Sequence, residues 1–215
     1  MIFTDRTDAG RRLLAEFQSY RTRNPLVLAL PRGGVPVAAE IARGLDAELG
    51  LLIVRKIGVP VQPELAMGAV VDAVEPVVVR NEDIIRAGNV SEAEFDRVLN
   101  RELAELARRR THYLGDRPQP AVEDRVVIVV DDGLATGTTM LAALRALRRQ
   151  SPAEVVVAVP VGAADAIKRI APFADDIVCL ESSDAFGAIG FFYRDFAQLS
   201  DDDVISALDT ARRSR

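Results

Sequence analysis

Residues 126–130 read Val-Val-Ile-Val-Val, five β-branched apolar side chains with no polar residue among them. Such a run suits a short strand buried on both faces, as in a parallel sheet flanked by helices. It stops at Asp131 and Asp132. Gly133, Leu134, Ala135, Thr136, Gly137, Thr138 and Thr139 follow, and from Met140 the spacing of Leu141, Leu144 and Leu147 predicts a helix. Between Gly133 and Thr139, backbone N–H groups and three threonine hydroxyls are expected to converge where the helix dipole is positive, and so to hold a phosphate. Two acids beside an anion site suit a ligand that brings hydroxyls or a cation. On their own they fit a strand end and a helix cap equally well. No Gly-Lys-Ser/Thr follows, so this is not a P-loop, and the Gly-x-Gly-x-x-Gly spacing of a dinucleotide site is missing.

The remaining chain repeats the strand, loop, helix pattern. Residues 5–20 carry Ala9, Leu13, Leu14 and Phe17 at helical spacing, with Asp5 or Thr7 as N-cap. Residues 26–30 form a strand ending in Pro31-Arg32-Gly33-Gly34, and helical spacing runs over 35–45. Residues 49–54 read as the next strand, ending at Arg55 and Lys56. Three prolines, three glycines and two apolar stretches over 58–90 predict a loop followed by a hairpin or two short strands. Ser91 and Glu94 then form a capping box for a helix ending near 108–110, which leaves the only histidine, His112, in a surface connection with no catalytic role. Residues 154–159, closed by Pro160, and residues 176–180 are further strands. A short helix over 163–170 lies between them, and an amphipathic helix over 201–212 closes the chain. This alternation predicts an α/β fold with a doubly wound, mostly parallel sheet. The 215 residues form one domain, with a core of about 26–180, an insert of about 57–120 and a terminal segment of about 181–196.

Two further stretches bear on chemistry. In isolation Arg32-Gly33-Gly34 marks a tight turn, yet glycines let backbone N–H groups approach an anion and Arg32 adds charge suited to phosphate oxygens. Residues 182–196 hold five of the chain's eleven Phe and Tyr residues. They either seal a sheet edge or stack on a flat heterocycle through Phe186 or Tyr193, with Asp195 accepting its hydrogen bonds. The net charge of -5 gives no reason to expect nucleic acid or an anionic membrane as partner. Cys179, the only cysteine, lies in an apolar run and reads as a buried hydrophobe, so no disulfide forms within one chain. No apolar leader and no run of 18 apolar residues occur, and a soluble cytoplasmic protein is expected.

Together Val126–Thr139, Pro31–Gly34 and, more weakly, Phe186–Phe196 resemble the type I phosphoribosyltransferases, over roughly residues 26–196. The resemblance implies a reaction of phosphoribosyl pyrophosphate (PRPP) with a nitrogen acceptor such as a nucleobase, using Mg2+ and releasing pyrophosphate. It implies that Asp131 and Asp132 hold the ribose hydroxyls and the metal, and that Gly133–Thr139 holds the 5-phosphate. Arg32, Gly33 and Gly34 then hold pyrophosphate, with a cis peptide before Arg32, and Lys56 contacts pyrophosphate. By itself the Arg55-Lys56 pair reads as a solvated strand end. Phe186, Tyr193 and Asp195 belong to a hood over the acceptor. A mobile loop within 59–90 closes the site. The hairpin, the helix over 91–110 and the hood offer surfaces for a homodimer.

Ala135 stands where 6-oxopurine enzymes of the family carry an acid, and Pro160-Val161-Gly162 where they carry a lysine, which disfavours hypoxanthine and guanine. Residues 134–137 are closer to adenine phosphoribosyltransferase, but Arg32-Gly33-Gly34 and the long insert are not typical of it. A second reading is a non-catalytic sensor of PRPP or a nucleotide. A third, a phosphohydrolase using the acid pair and Mg2+, lacks an isolated Asp-x-Asp motif and a His-rich metal set.

Overall fold

In the computed structural model, which describes residues 2–73 and 75–213, two sheets form. Strands β1 (Leu26–Ala29) and β2 (Glu48–Leu51) belong to the first. Strands β3 (Val54–Val59), β4 (Gln62–Val71) and β5 (Val77–Arg80) make a separate antiparallel sheet. Strands β6 (Val126–Val130), β7 (Glu154–Ala163) and β8 (Asp176–Ser183) complete the first, whose order is β2-β1-β6-β7-β8 with every pairing parallel.

The β-branched run lies at the centre of this sheet, all five residues buried. Ile128 and Val130 face helices α1 (Arg6–Leu14), α2 (Gly34–Leu45) and α7 (Asp201–Arg213). Val127 and Val129 face α5 (Thr138–Arg148) and α6 (Ala164–Ile170). Each such side chain contributes roughly 1.5–3 kcal/mol on burial. From β1 the chain adds β2 on one side, and β6 later docks on the other. The order therefore reverses between β1 and β6, and ligands of open α/β sheets bind beyond the carboxyl ends at such a point.

Several boundaries differ from the sequence reading. Asp5 does cap α1, accepting from the Asp8 N–H at 2.8 Å, but the helix tightens into 3-10 turns over Ala15–Arg23. Strand β2 stops at Leu51, so Arg55 and Lys56 lie within β3 of the second sheet rather than at a strand end. That sheet has three strands, and a short helix α3 (Glu82–Ala87), capped by Asn81, follows it. Helix α4 (Glu92–Leu114) carries the expected Ser91–Glu94 capping box but continues past 110. Arg108 and Arg109 pair with Glu105 one turn back, which supports continuation, and His112 lies in the last turn. Strand β7 runs through Pro160. Residues 161–163 still pair with β8, and no register position falls on Pro160, which has no N–H to donate.

Candidate active site

Strand β6 delivers Asp131 and Asp132 to the reversal point. Burial of Asp132 would be costly without a counter-charge, and Arg6 supplies it. Its Nε donates to Asp132 Oδ2 at 2.7 Å, and both side chains are 11% exposed. A second nitrogen of Arg6 donates to the Ala197 carbonyl at 2.9 Å, and the guanidinium lies 3.9 Å from the Phe196 ring centroid. Asp131 Oδ1 accepts from the Asp132 N–H at 2.9 Å. Burial, and next the neighbouring Asp132 carboxylate, push the Asp131 carboxyl well above its ordinary range. Burial also raises Asp132, against the opposing pull of Arg6.

Arg6 carried no sequence signal. It is a single basic residue in the first turn of α1, 126 positions from its partner. It reaches Asp132 because the segment before it is stapled to the hood. Phe3 bridges Tyr193, donating to the Phe192 carbonyl at 2.8 Å and accepting from the Arg194 N–H at 2.9 Å.

The hood differs from expectation at Tyr193. Its ring packs between Phe3 and Phe196, with centroids 5.5 and 5.0 Å away, and it is 6% exposed. Its hydroxyl donates to the Asp132 carbonyl at 2.7 Å. Tyr193 therefore fixes the backbone of the acid pair and presents no open stacking face. Phe186 is half-buried and stacks on Phe192 at 5.2 Å. Asp195 is exposed and accepts from the Ala197 N–H at 3.0 Å.

The loop after β1 contains the anticipated cis peptide between Pro31 and Arg32. Its glycines are explained by close approach rather than by unusual dihedrals. A Cβ on Gly33 would lie 2.0 Å from Asp132 Oδ2, and one on Gly34 would lie 2.5 Å from the Val130 carbonyl oxygen. Arg32 donates to the Leu199 carbonyl at 2.8 Å and pairs through Nε with Asp201 Oδ1 at 3.0 Å. Arg6, Arg32, Gly33, Arg109, Asp132 and Phe196 thus share an open cleft of about 490 Å3.

In the loop after β6, Gly137 takes φ +73° and caps α5, a conformation glycine adopts without cost. Ala135 and Thr136 are exposed, whereas Thr138 and Thr139 are half-buried. Thr136 and Thr138 join their hydroxyls at 3.2 Å. Leu134 departs from the expected cradle. Its N–H donates to the Val161 carbonyl at 2.9 Å and its carbonyl accepts from Ala163 at 2.8 Å, so it clips the loop to β7 and offers a ligand no donor. Gly133 lies beneath the hood, where a Cβ would meet Ile189 at 2.6 Å. Lys56 is exposed and lines a second pocket of about 80 Å3 with Thr138, Thr139 and Arg145, separate from the cleft that Arg32 lines.

Among the described residues no cluster of three or more His, Cys, Asp or Glu side chains exists to cage a metal. Two adjacent carboxyls do fit Mg2+, which is commonly held by one or two carboxylates together with substrate oxygens.

The phosphoribosyl transferase domain family matches residues 4–196. A curated protein of Mycobacterium tuberculosis strain H37Rv, named "Putative phosphoribosyl transferase Rv0571c", is 44% identical over 212 residues, 99% of this chain and 47% of that protein. The chain thus spans about half the length of the curated relatives it matches. The crystal structure of TT1426 from Thermus thermophilus is 39% identical with a TM-score of 0.85, covering 97% of this chain and 98% of that one. The AQ2163 protein from Aquifex aeolicus, 15% identical with a TM-score of 0.50 over 83% of this chain and 74% of that one, shares the fold alone. No helix among the described residues is long and apolar enough to cross a membrane.

Proposed function

The chain belongs to the phosphoribosyl transferase family, and on that premise we propose that it transfers a phosphoribosyl group from PRPP to a nitrogen acceptor, with release of pyrophosphate. The observation that carries this reading is the convergence of the buried Asp132 and the Arg32-Gly33 loop on one cleft, with a threonine-lined helix N-terminus at the end of the loop that Asp131 and Asp132 open.

In this reading Asp131 and Asp132 bind the ribose diol and would hold Mg2+, whose chemistry would be to neutralise charge on the departing pyrophosphate. Thr136, Thr138, Thr139 and the free amides of the loop bind the 5-phosphate. The acceptor nitrogen attacks C1 of the ribose as the C1–O bond to pyrophosphate breaks, and the electron pair leaves with the pyrophosphate oxygen. Arg32 stabilises that oxygen. Lys56, beside Thr138 and Thr139, adds charge on the phosphate side of the substrate. Asp132 is buried and Asp131 half-buried at this cleft, so hydroxyl groups held there meet acceptors that are pre-oriented by the fold. Among the hood residues, Phe186 and Asp195 remain the acceptor-facing candidates, since Tyr193 is spent on the Asp132 backbone.

The test is pyrophosphate release from Mg-PRPP against a panel of nucleobases and other nitrogen acceptors, with an Asp131→Asn, Asp132→Asn double variant as blank. Acceptor-dependent release that disappears in the variant is expected; equal release by the variant would sink the reading. A second reading, a PRPP or nucleotide sensor, draws on the Arg6 guanidinium at Asp132. It predicts tight Mg-PRPP binding with no turnover of any acceptor.

A further inference from the structure

The family match ends at residue 196, yet the side chain of Arg32 is held by residues beyond it. Its Nε pairs with Asp201 Oδ1 at 3.0 Å, and one terminal nitrogen donates to the Leu199 carbonyl at 2.8 Å. Asp201 is the first residue of α7 and is itself fixed from α4. Tyr113 Oη donates to Oδ1 at 2.6 Å, and His112 Nε2 lies 3.7 Å from Oδ2. The Tyr113 hydrogen bond comes first among the causes that hold the Asp201 carboxyl below its ordinary range.

We propose that Asp201 is a positioning residue for the phosphoribosyl transfer reaction: it orients the Arg32 guanidinium over the cleft so that the third nitrogen, Nη2, meets the pyrophosphate end of the substrate. The inference rests on the reading of the cleft given above. Arginine has many rotamers, and a ligand that must order one gives up part of its binding energy to do so. Two contacts from the segment 199–201 carry that ordering before any ligand arrives. Tyr113 in turn removes the freedom of Asp201, so the restraint passes from α4 through α7 to the loop after β1.

A structural role for Asp201 is separable from this one. Asp202, next in the same first turn, is exposed and carries an equal charge at the helix N-terminus. Removing either acid weakens the interaction with the helix dipole similarly; only Asp201 touches Arg32. Calorimetric titration with inorganic pyrophosphate and with PRPP, each with Mg2+, is therefore made on wild type, Asp201→Asn, Asp202→Asn, Arg32→Ala and the Asp201→Asn, Arg32→Ala double variant.

The expected result is binding weakened about three- to tenfold by Asp201→Asn, the range set by freeing one rotamer-rich side chain. Asp202→Asn should bind as wild type, and the effect of Asp201→Asn should vanish once Arg32 is alanine. Asp201→Ser replaces the asparagine variant if circular dichroism shows that variant misfolded. Unchanged binding in the Asp201 variant, or a loss that persists in full in the Arg32→Ala background, overturns the inference while leaving the transferase reading intact. Wild-type protein that binds neither probe overturns both.

Discussion

Arg6→Gln removes the counter-charge from the acid pair while keeping a side chain of similar length. Losing one partner of a buried ion pair typically costs about 3–5 kcal/mol, because the other charge stays desolvated. Here the pair retains 11% exposure on each side at the rim of an open cleft, and Asp132 has a second escape, which is to take up a proton. A loss of about 2–3 kcal/mol at pH 8 follows, equivalent to a fall in Tm of about 4–12 °C for a chain of this size.

The pH dependence is the sharper part of the test. Both acids have folded pKa values raised above the unfolded ones, so across that window the folded state binds more protons than the unfolded state. Stability therefore falls as pH rises through it. Arg6 opposes the rise at Asp132; without it the window widens upward. The gap between wild type and Arg6→Gln should be smallest near pH 5 and largest near pH 8. Scanning calorimetry at pH 5, 6.5 and 8 measures it, with Arg6→Gln, Asp132→Asn as a third protein that should regain most of the loss at pH 8. A pH-independent gap, or no recovery in the double variant, would refute the account of Asp132 as a buried charge neutralised by Arg6.

Gly33→Ala places a methyl group 2.0 Å from Asp132 Oδ2. The carboxyl must rotate off Arg6, at a cost of about 1–3 kcal/mol, and Mg-PRPP binding measured by calorimetry should drop at least about tenfold; wild-type affinity would show that the two loops yield independently. Ser91→Ala removes the cap of α4 and should lower stability by about 1 kcal/mol with pyrophosphate binding unchanged, as read by denaturant titration and calorimetry. Cys179 is half-buried rather than buried as expected, yet that partial burial pushes its thiol up to about 11, so at pH 8 a disulfide reagent should label it more slowly in the folded protein than in the denatured one. Equal rates would contradict that burial.

The central sheet was legible because its signals are local. Five β-branched residues, two acids and a Gly/Thr loop fix strand, site and helix within fourteen positions, and the structure ends β6 at Val130 as read. Pro160 and Arg108–Arg110 misled for a common reason. Each is a stop signal in isolation, overridden at one by a neighbouring strand and at the other by ion pairs along the helix. Arg6, Asp201 and the role of Tyr193 were invisible because each acts across more than 60 residues of sequence, on a partner that only the tertiary fold brings near. Leu134 is the instructive intermediate. Its place in the motif suggested a ligand donor, yet its apolar side chain already marked it for burial, at 2% exposure.

The staple between Phe3 and Tyr193 also bears on the order of events during synthesis. Translation extends the chain from its first residue at about 5–20 residues per second, so the segment holding Phe3 emerges well before its partner exists. Until residues 192–194 have left the ribosome, Phe3 has no hydrogen-bonding edge and Phe196 is not yet present to support Arg6. The parallel sheet from β1 to β7 has all its strands by then, but Asp132 at its centre lacks its settled counter-charge. A nascent chain that has emerged from the ribosome as far as about residue 180 should accordingly hold a formed sheet with the first helix already packed on α2, but with the segment around Phe3 unpinned, and protease sensitivity confined to the first few residues would be its signature.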